Sequence, residues 1–417
     1  MSPLWRNDTE LGGIEIPGFA NCHSHVFHRA LRGRTHDDGG SFWTWRDQMY
    51  ALADVLDPDL LHRLATAVYA EMAMAGITAV GEFHYLHHDP SGQRYADPNA
   101  MGEALIAAAR TAGIRIALID TCYLSAGFGR PVEGVQRRFS DGDAARWAER
   151  VDALRAKHAG DRDVVIGAGI HSVRAVPADQ LATVAAWASG HGAPLHIHLS
   201  EQPAENEECL AQHGCTPTAL LEASGVWGPS TTAVHATHLS PDDIATLGEH
   251  EVFACFCPTT ERDLADGVGP SRLLHDAGAR LTLGSDSNAV IDMFEEMRGV
   301  ELDERLSSLR RGTWPATELL TAATLTGQES LGFPGHGSLG MGADGDSVTV
   351  GFDSVRLAGA ALDPASVVFA ATTTDVHDVS IDGDLLVSSG WYDRGDVAAQ
   401  LRSAIETCWQ RVDGSRR

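Results

Sequence analysis

The chain alternates short apolar runs with longer amphipathic segments, and this rhythm restricts its fold more than any other feature. The runs are the one ending at His25, then Ile77–Phe83, Ile114–Thr121, Val164–Ile170, Pro194–Ser200, Thr232–Thr237, Val252–Cys257 and Leu281–Ser285. Between them lie the helix-like stretches Asp59–Ala75, Asn99–Ala112, Ala144–His158, Pro177–Gly190, Ala204–His213, Pro241–Gly248 and Ser271–Gly278. Asp57-Pro58 and Ser240-Pro241 each offer an N-cap ahead of a proline at the first helical position. Gly76, Gly113, Gly192 and Gly278 stand where helix ends need a left-handed residue. Strands alternating with helices predict an α/β protein with a parallel sheet, and eight such units predict a closed (β/α)8 barrel of the TIM type. No glycine fingerprint of the dinucleotide or P-loop kind opens the first helix, which argues against an open doubly wound sheet.

After Leu331 the pattern changes. The short runs Ser347–Val350, Val367–Ala370, Val376–Ile381 and Asp384–Val387 read as strands, and Asp396–Val412 as a last amphipathic helix. Residues 1–16 read as short and irregular. The expected organisation is therefore a barrel over 17–334, with 1–16 and 335–417 forming a small β module plus the C-terminal helix. No low-complexity linker separates the two, so the module is expected to pack on the barrel.

His25, Glu82/His84, His171, His198, His235 and Asp286 each fall at or just past the C-terminal end of a run. In a barrel those ends converge on one mouth, the usual active-site face. His23 and His25, two apart on a strand, share a face. Two such imidazoles can close on one metal ion at about 2.0–2.1 Å per bond, which supplies half a coordination shell. Of His196 and His198, which also share a face, His198 is preferred because it lies nearer the strand end. Asp286 ends the eighth run. His23, His25, His198 and Asp286 would bind one divalent ion, Zn²⁺ or Fe²⁺, and leave a position for water of lowered pKa. Asp286 and His235 are the candidates for the base that takes the water's proton. Cys255-Phe256-Cys257, with no second pair nearby, reads as buried strand packing.

Composition narrows the partners. A formal charge of −26 argues against nucleic acid and against an anionic membrane surface. An anionic substrate must then be captured by local cations. No run of 18 apolar residues and no secretory leader pattern occur. The seven scattered cysteines suit reduced thiols in a cytoplasm.

His23-Ser24-His25, His198, His235 and Asp286, in this order on eight strands, resemble the amidohydrolase superfamily of metal-dependent hydrolases and deaminases. Val164–Ile170 lacks the lysine that bridges two metals in binuclear members, so the resemblance implies a single divalent ion, zinc first and iron as the alternative. It also implies a homodimer and a β-sandwich built from both chain ends. Because little chain precedes His23, that sandwich is expected to come mainly from the C-terminal segment.

Within the superfamily, six stretches resemble the formimidoylglutamate deiminase family: Asn21–Ala30, Ser41–Arg46, Glu82–Tyr85, His171–Arg174, His196–Gln202 and Thr260–Gly267. The likeness runs from about Pro17 to Phe333. It implies hydrolysis of N-formimidoyl-L-glutamate, a small anionic substrate of histidine degradation, to N-formyl-L-glutamate and ammonia. Carried over by residue, it implies His23, His25, His198 and Asp286 as ligands, Glu201 as the proton shuttle to the leaving nitrogen, and His235 with Asp286 as bases. Arg46, Tyr85, His171 and Arg174 would hold the substrate. His28 stands where the family motif has Gln, and Asn288 where a His often follows Asp-Ser, so either could alter substrate contacts. An aromatic-base aminohydrolase would share the metal set and Glu201 but has little need of two arginines at the mouth. A non-catalytic barrel would be expected to have lost ligands that are all present.

Overall fold

The computed structural model describes residues 4–8, 12–35, 42–339 and 345–415. Ser41 and parts of the expected N-terminal and 335–417 segments therefore lie outside the described residues. Eight parallel strands form the barrel: Phe19–Ser24, Ile77–His84, Arg115–Cys122, Val164–Ile170, Leu195–Leu199, Thr231–His235, Phe253–Phe256 and Arg280–Leu283, paired in chain order. Nearly every strand residue is buried, as a parallel sheet covered on both faces requires. The first and last strands meet through a bridge between Ser24 and Asp286, where His25 N–H donates to Asp286 O and Asp286 N–H to His23 O, both at 2.9 Å. A Cβ at Gly284 would sit 2.8 Å from the His23 backbone, so this seam closes only over a glycine.

The helices begin where the caps predict. Asp57 accepts from Leu60 N–H at 2.8 Å, and Ser240 forms a reciprocal capping box with Asp243. Gly113 and Gly192 close their helices in the left-handed conformation at φ 84° and 57°. Several helices were not legible as such, among them Phe42–Val55, Pro217–Ala223, Pro258–Asp263 and Met293–Ser308. The first of these carries Trp45, Arg46, Met49 and Tyr50 to the barrel mouth.

The second module is one six-stranded antiparallel sheet, and two of its strands correct the expectation of an irregular N-terminus. Arg6–Asp8 pairs with Gly13–Pro17, which pairs in turn with Ser347–Val350; Val376–Ile381, Asp384–Ser388 and Trp391–Tyr392 complete the order. Ile14 and Ile16 point into the core while Glu15 turns outward to Arg6, whose Nη2 donates to it at 2.9 Å. Val367–Ala370, read as one of the short strands, belongs to a helix, Pro364–Ala370. Asp363 caps that helix through Ser366 N–H, Pro364 sits in its first turn, and Val367 and Val368 are its buried face. The C-terminal helix, Val397–Ser415, packs on Pro58–Met74, and Trp409 Nε1 donates to Ala30 O at 2.9 Å.

One polar cluster lies outside the barrel lumen. His84 points away from the mouth toward His87 and Asp120, contrary to the expectation that it faces the site. Those three could suggest a cation, but Arg150 already binds Asp120 through two nitrogens at 2.7 and 2.8 Å and Asp141 at 2.9 Å. Burial would raise both carboxyls; Arg150 and neighbouring histidines outweigh it and hold both below the ordinary range. Their stabilising contribution is therefore complete above the unfolded carboxylate value near ~4 and is lost as pH falls below it. Arg150→Met, which strips the buried Asp120 carboxylate of its arginine and leaves Asp141 with Arg94 at 3.2 Å, should cost about 3–5 kcal/mol, read as a lowered urea midpoint at pH 7. An unchanged midpoint would show that the cluster does not stabilise the fold.

Candidate metal centre

The barrel mouth opens into a cavity of about 280 Å³ whose walls include His25, His198, His235 and Asp286. His23 lies just beneath, fully buried. The structure brings the four proposed ligands together: His23 Nε2 is 3.0 Å from His198 Nε2 and 3.5 Å from Asp286 Oδ1, and His25 Nε2 is 3.4 Å from the same oxygen. Donors around a tetrahedral ion with bonds of ~2.05 Å stand roughly 3.3 Å apart, so the spacing suits one ion. Protonation makes the same point. His25 Nδ1 lies 3.0 Å from Phe83 O and must donate to it, which leaves the Nε2 lone pair facing the Asp286 carboxylate. Two acceptors in such contact are reconciled by a cation between them. Burial holds His25 and His198 below the usual imidazole range and takes His23 down to about 3, so all three offer neutral nitrogens. The donor set therefore fits a divalent metal. His196, the alternative to His198, is buried deeper in the barrel and lines no part of the cavity.

Two strand ends are backbone-strained at this point: His235 has φ 67° and Asp286 φ 43°, both left-handed for non-glycine residues. Such conformations cost free energy and persist where the surroundings impose them, commonly at functional sites. They turn His235 Nε2 to 3.8 Å from Asp286 Oδ2 and 4.0 Å from Glu201 Oε1. Burial alone would lower the His235 pKa, but Glu201, Glu261 and Asp286 together raise it well above the ordinary value. Burial raises the Glu201 carboxyl, so its proton is held to higher pH than in water. The Glu201 carboxylate favours the His235 imidazolium and the imidazolium favours the carboxylate, so a proton can pass between the two.

Glu261 was not assigned a role from sequence, although it lies in the Thr260–Gly267 stretch. It accepts from Cys257 N–H at 2.8 Å at the start of the helix Pro258–Asp263 and stands 3.3 Å from His235 Nδ1, which orients that ring. Cys255 and Cys257 are buried and unpaired, as expected of strand packing.

The expected substrate residues divide. Tyr85, His171, His28, Arg46 and Arg174 all line the cavity. His28 Nε2 is 3.0 Å from the Tyr85 hydroxyl. Arg174 is already engaged: its Nε donates at 2.9 Å to Glu205, which also accepts from Ser200 N–H. The Arg46 guanidinium lies over the Tyr50 ring at 5.4 Å. Asn288 touches no cavity wall. Its Nδ2 donates to Ser24 Oγ and His25 O, both at 3.1 Å, and its Oδ1 accepts from Ser285 Oγ at 2.6 Å, so this departure from the family motif clasps the barrel seam. Tyr50, Tyr123 and Gln136 are further wall residues missed in sequence. Gln136 Nε2 donates to both tyrosine hydroxyls, at 3.0 and 3.1 Å, a link across three separate segments that no local spacing signals.

Comparison with known proteins places the chain in a family. Residues 14–386 match the amidohydrolase family. A formimidoylglutamate deiminase from Pseudomonas aeruginosa is 37% identical over 91% of this chain and 86% of its own length. An amidohydrolase from Brucella melitensis superposes with a TM-score of 0.88 at 32% identity, covering 95% of this chain and 90% of that one. An adenosine deaminase from Xanthomonas campestris with bound zinc shares the fold, at a TM-score of 0.83 and 24% identity over 96% and 86% of the two chains. Among the described residues no helix is long and apolar enough to cross a membrane. A matched span of this extent, ending in one cluster of three imidazoles and a carboxylate at a barrel mouth, establishes that the chain belongs to the amidohydrolase family, as a hydrolase acting on C–N bonds.

Proposed function

We propose that the protein hydrolyses N-formimidoyl-L-glutamate to N-formyl-L-glutamate and ammonia, the deimination step of histidine degradation. The observation that carries this reading is one cavity holding both a proton-transfer pair, Glu201 and His235 at 4.0 Å, and the arginines Arg46 and Arg174. The relative from Pseudomonas aeruginosa, a formimidoylglutamate deiminase by name, supports the same chemistry.

His23, His25, His198 and Asp286 would hold one divalent ion, and three neutral imidazoles with one carboxylate favour zinc. Bound there, the ion would act as a Lewis acid that makes hydroxide available near neutral pH. His235, with Asp286, takes a proton from the attacking water as its oxygen bonds to the formimidoyl carbon. The carbon becomes tetrahedral, and its amino nitrogen must be protonated before the C–N bond breaks. Glu201, buried and protonated more readily than in water, delivers that proton, and ammonia departs with the bonding pair as the new hydroxyl gives up its remaining proton to Asp286 or His235 and its oxygen becomes the formyl carbonyl. Tyr85, His28 and His171 shape the wall beside the reacting carbon. Arg46 and Arg174 face the glutamate carboxylates, where a guanidinium fork gives charge-assisted hydrogen bonds. Unpaired thiols at all seven cysteines support a reducing compartment, the cytoplasm. A homodimer is the assembly that the family resemblance implies.

Ammonia release by metal-loaded protein from formimidoyl-glutamate, formimidoyl-aspartate, guanine and cytosine tests the reading. Formimidoyl-glutamate should be the preferred substrate; turnover of a neutral base alone would overturn it in favour of an aromatic-base aminohydrolase. Arg46→Met should lower kcat/KM on the dianionic substrate by roughly 10–150-fold, the value of a hydrogen bond to a charged group, and change a neutral formamidine little. Equal losses on both would assign Arg46 to the fold.

A further inference from the structure

A third arginine stands at the mouth. The hairpin Ser125–Gly127/Arg130–Pro131 hangs over the cavity and is fastened at its base, where Leu124 and Ser125 N–H donate to Ala175 O at 2.7 and 2.9 Å, next to Arg174. Ser125 Oγ donates to Arg130 O at 2.7 Å, which holds the second arm in register. The Arg130 side chain folds back across Gly127. A Cβ there would lie 2.3 Å from Arg130 Nη2, and Gly127 has φ +148°, so only glycine lets the guanidinium lie in this position. Arg130 lines the catalytic cavity and, with Arg46, a recess that continues from it. Glu133 is the one carboxylate on that recess, and Glu208 lies on the cavity wall. Among the described residues no carboxylate forms an ion pair with Arg130, whereas Arg174 is engaged by Glu205.

These facts separate the arginines by depth. Arg174 and Glu201 both line the cavity, and neither reaches the outer recess. Arg46 and Arg130 flank the outer recess. Resting on the deimination reading above, we infer that Arg130 acts with Arg46 as the subsite for the distal carboxylate of the substrate and so sets the preference for a dicarboxylate. Against a chain of formal charge −26, a second outer cation is what an anion at that end requires.

The test is binding of N-formyl-L-glutamate and of N-formyl-L-2-aminobutyrate, which lacks only the distal carboxylate, to metal-loaded wild type and Arg130→Met, read by calorimetry. Arg130 is exposed, so the variant should fold as wild type does. Expected is a rise in Kd of about tenfold for the first probe, none for the second, and partial recovery in Arg130→Lys. In turnover of formimidoyl-glutamate the loss should appear in KM rather than kcat. Unchanged affinity in Arg130→Met, equal losses on both probes, or failure of wild type to distinguish the probes would each overturn the inference. If wild type releases no ammonia from formimidoyl-glutamate while the probe-specific loss persists, the proposed reaction fails and the carboxylate subsite stands.

Discussion

Glu201→Gln should keep its metal and lose kcat by roughly 10²–10⁴-fold, the contribution of a positioned general acid–base group. Glutamine has nearly the same shape and can hydrogen-bond, so packing is preserved, but it cannot gain and lose the proton that the leaving nitrogen needs. Glu201 touches none of the four proposed ligands within ion-pair distance; its near neighbour is His235 at 4.0 Å. Metal content therefore should not follow activity down. Measuring both on the same preparation separates the two roles. Near-normal turnover would remove Glu201 from the proton path, and loss of the metal together with activity would make it a support of the metal site.

Removal of the metal should have the larger effect still. Wild type is expected to bind about one divalent ion per chain, and His198→Ala or treatment with a chelator should abolish turnover, by at least ~10³-fold, because Lewis-acid stabilisation is worth several kcal/mol. The chelated protein should regain activity on adding Zn²⁺, whereas His198→Ala should not. Stability offers a second readout. An ion that binds only the folded chain stabilises it by about 4 kcal/mol at a thousandfold excess over its Kd, so the melting temperature should fall on chelation and recover with metal. Metal analysis giving two ions per chain at full activity would contradict the single-ion site. Full turnover in the chelated protein would discard the metal reading altogether.

Much of this molecule is local chemistry written along the chain. The eight apolar runs and seven helical segments between them follow from residue period and from caps such as Asp57 and Ser240, which act within a few residues of themselves. His23 and His25 were legible as a pair because a strand's period of two places them on one face. His198 and Asp286 were legible because barrel topology brings every strand end to one mouth. Local pattern failed where its signal was short or ambiguous. Arg6–Asp8 is an exposed polar edge strand of three residues, and Val367-Val368-Phe369 has strand-like composition inside a capped helix.

Sequence by itself therefore determined the barrel, its order and which four side chains, His23, His25, His198 and Asp286, meet near its mouth, since each depends on periodicity or on position along a strand. Only the tertiary structure decided how those donors are used. Arg174 is held through its Nε by Glu205, His84 turns outward, and Asn288 fastens the seam where a substrate contact was conceivable. Glu261 orients His235, and Arg130 reaches the cavity across Gly127. Each of these depends on which side chains from distant segments meet in a medium of low dielectric, where a carboxylate 3 Å from one cation is spent and one aimed at a lone pair awaits another. Spacing along a chain carries no information about such partners, because the closure that brings them together is a property of the whole barrel.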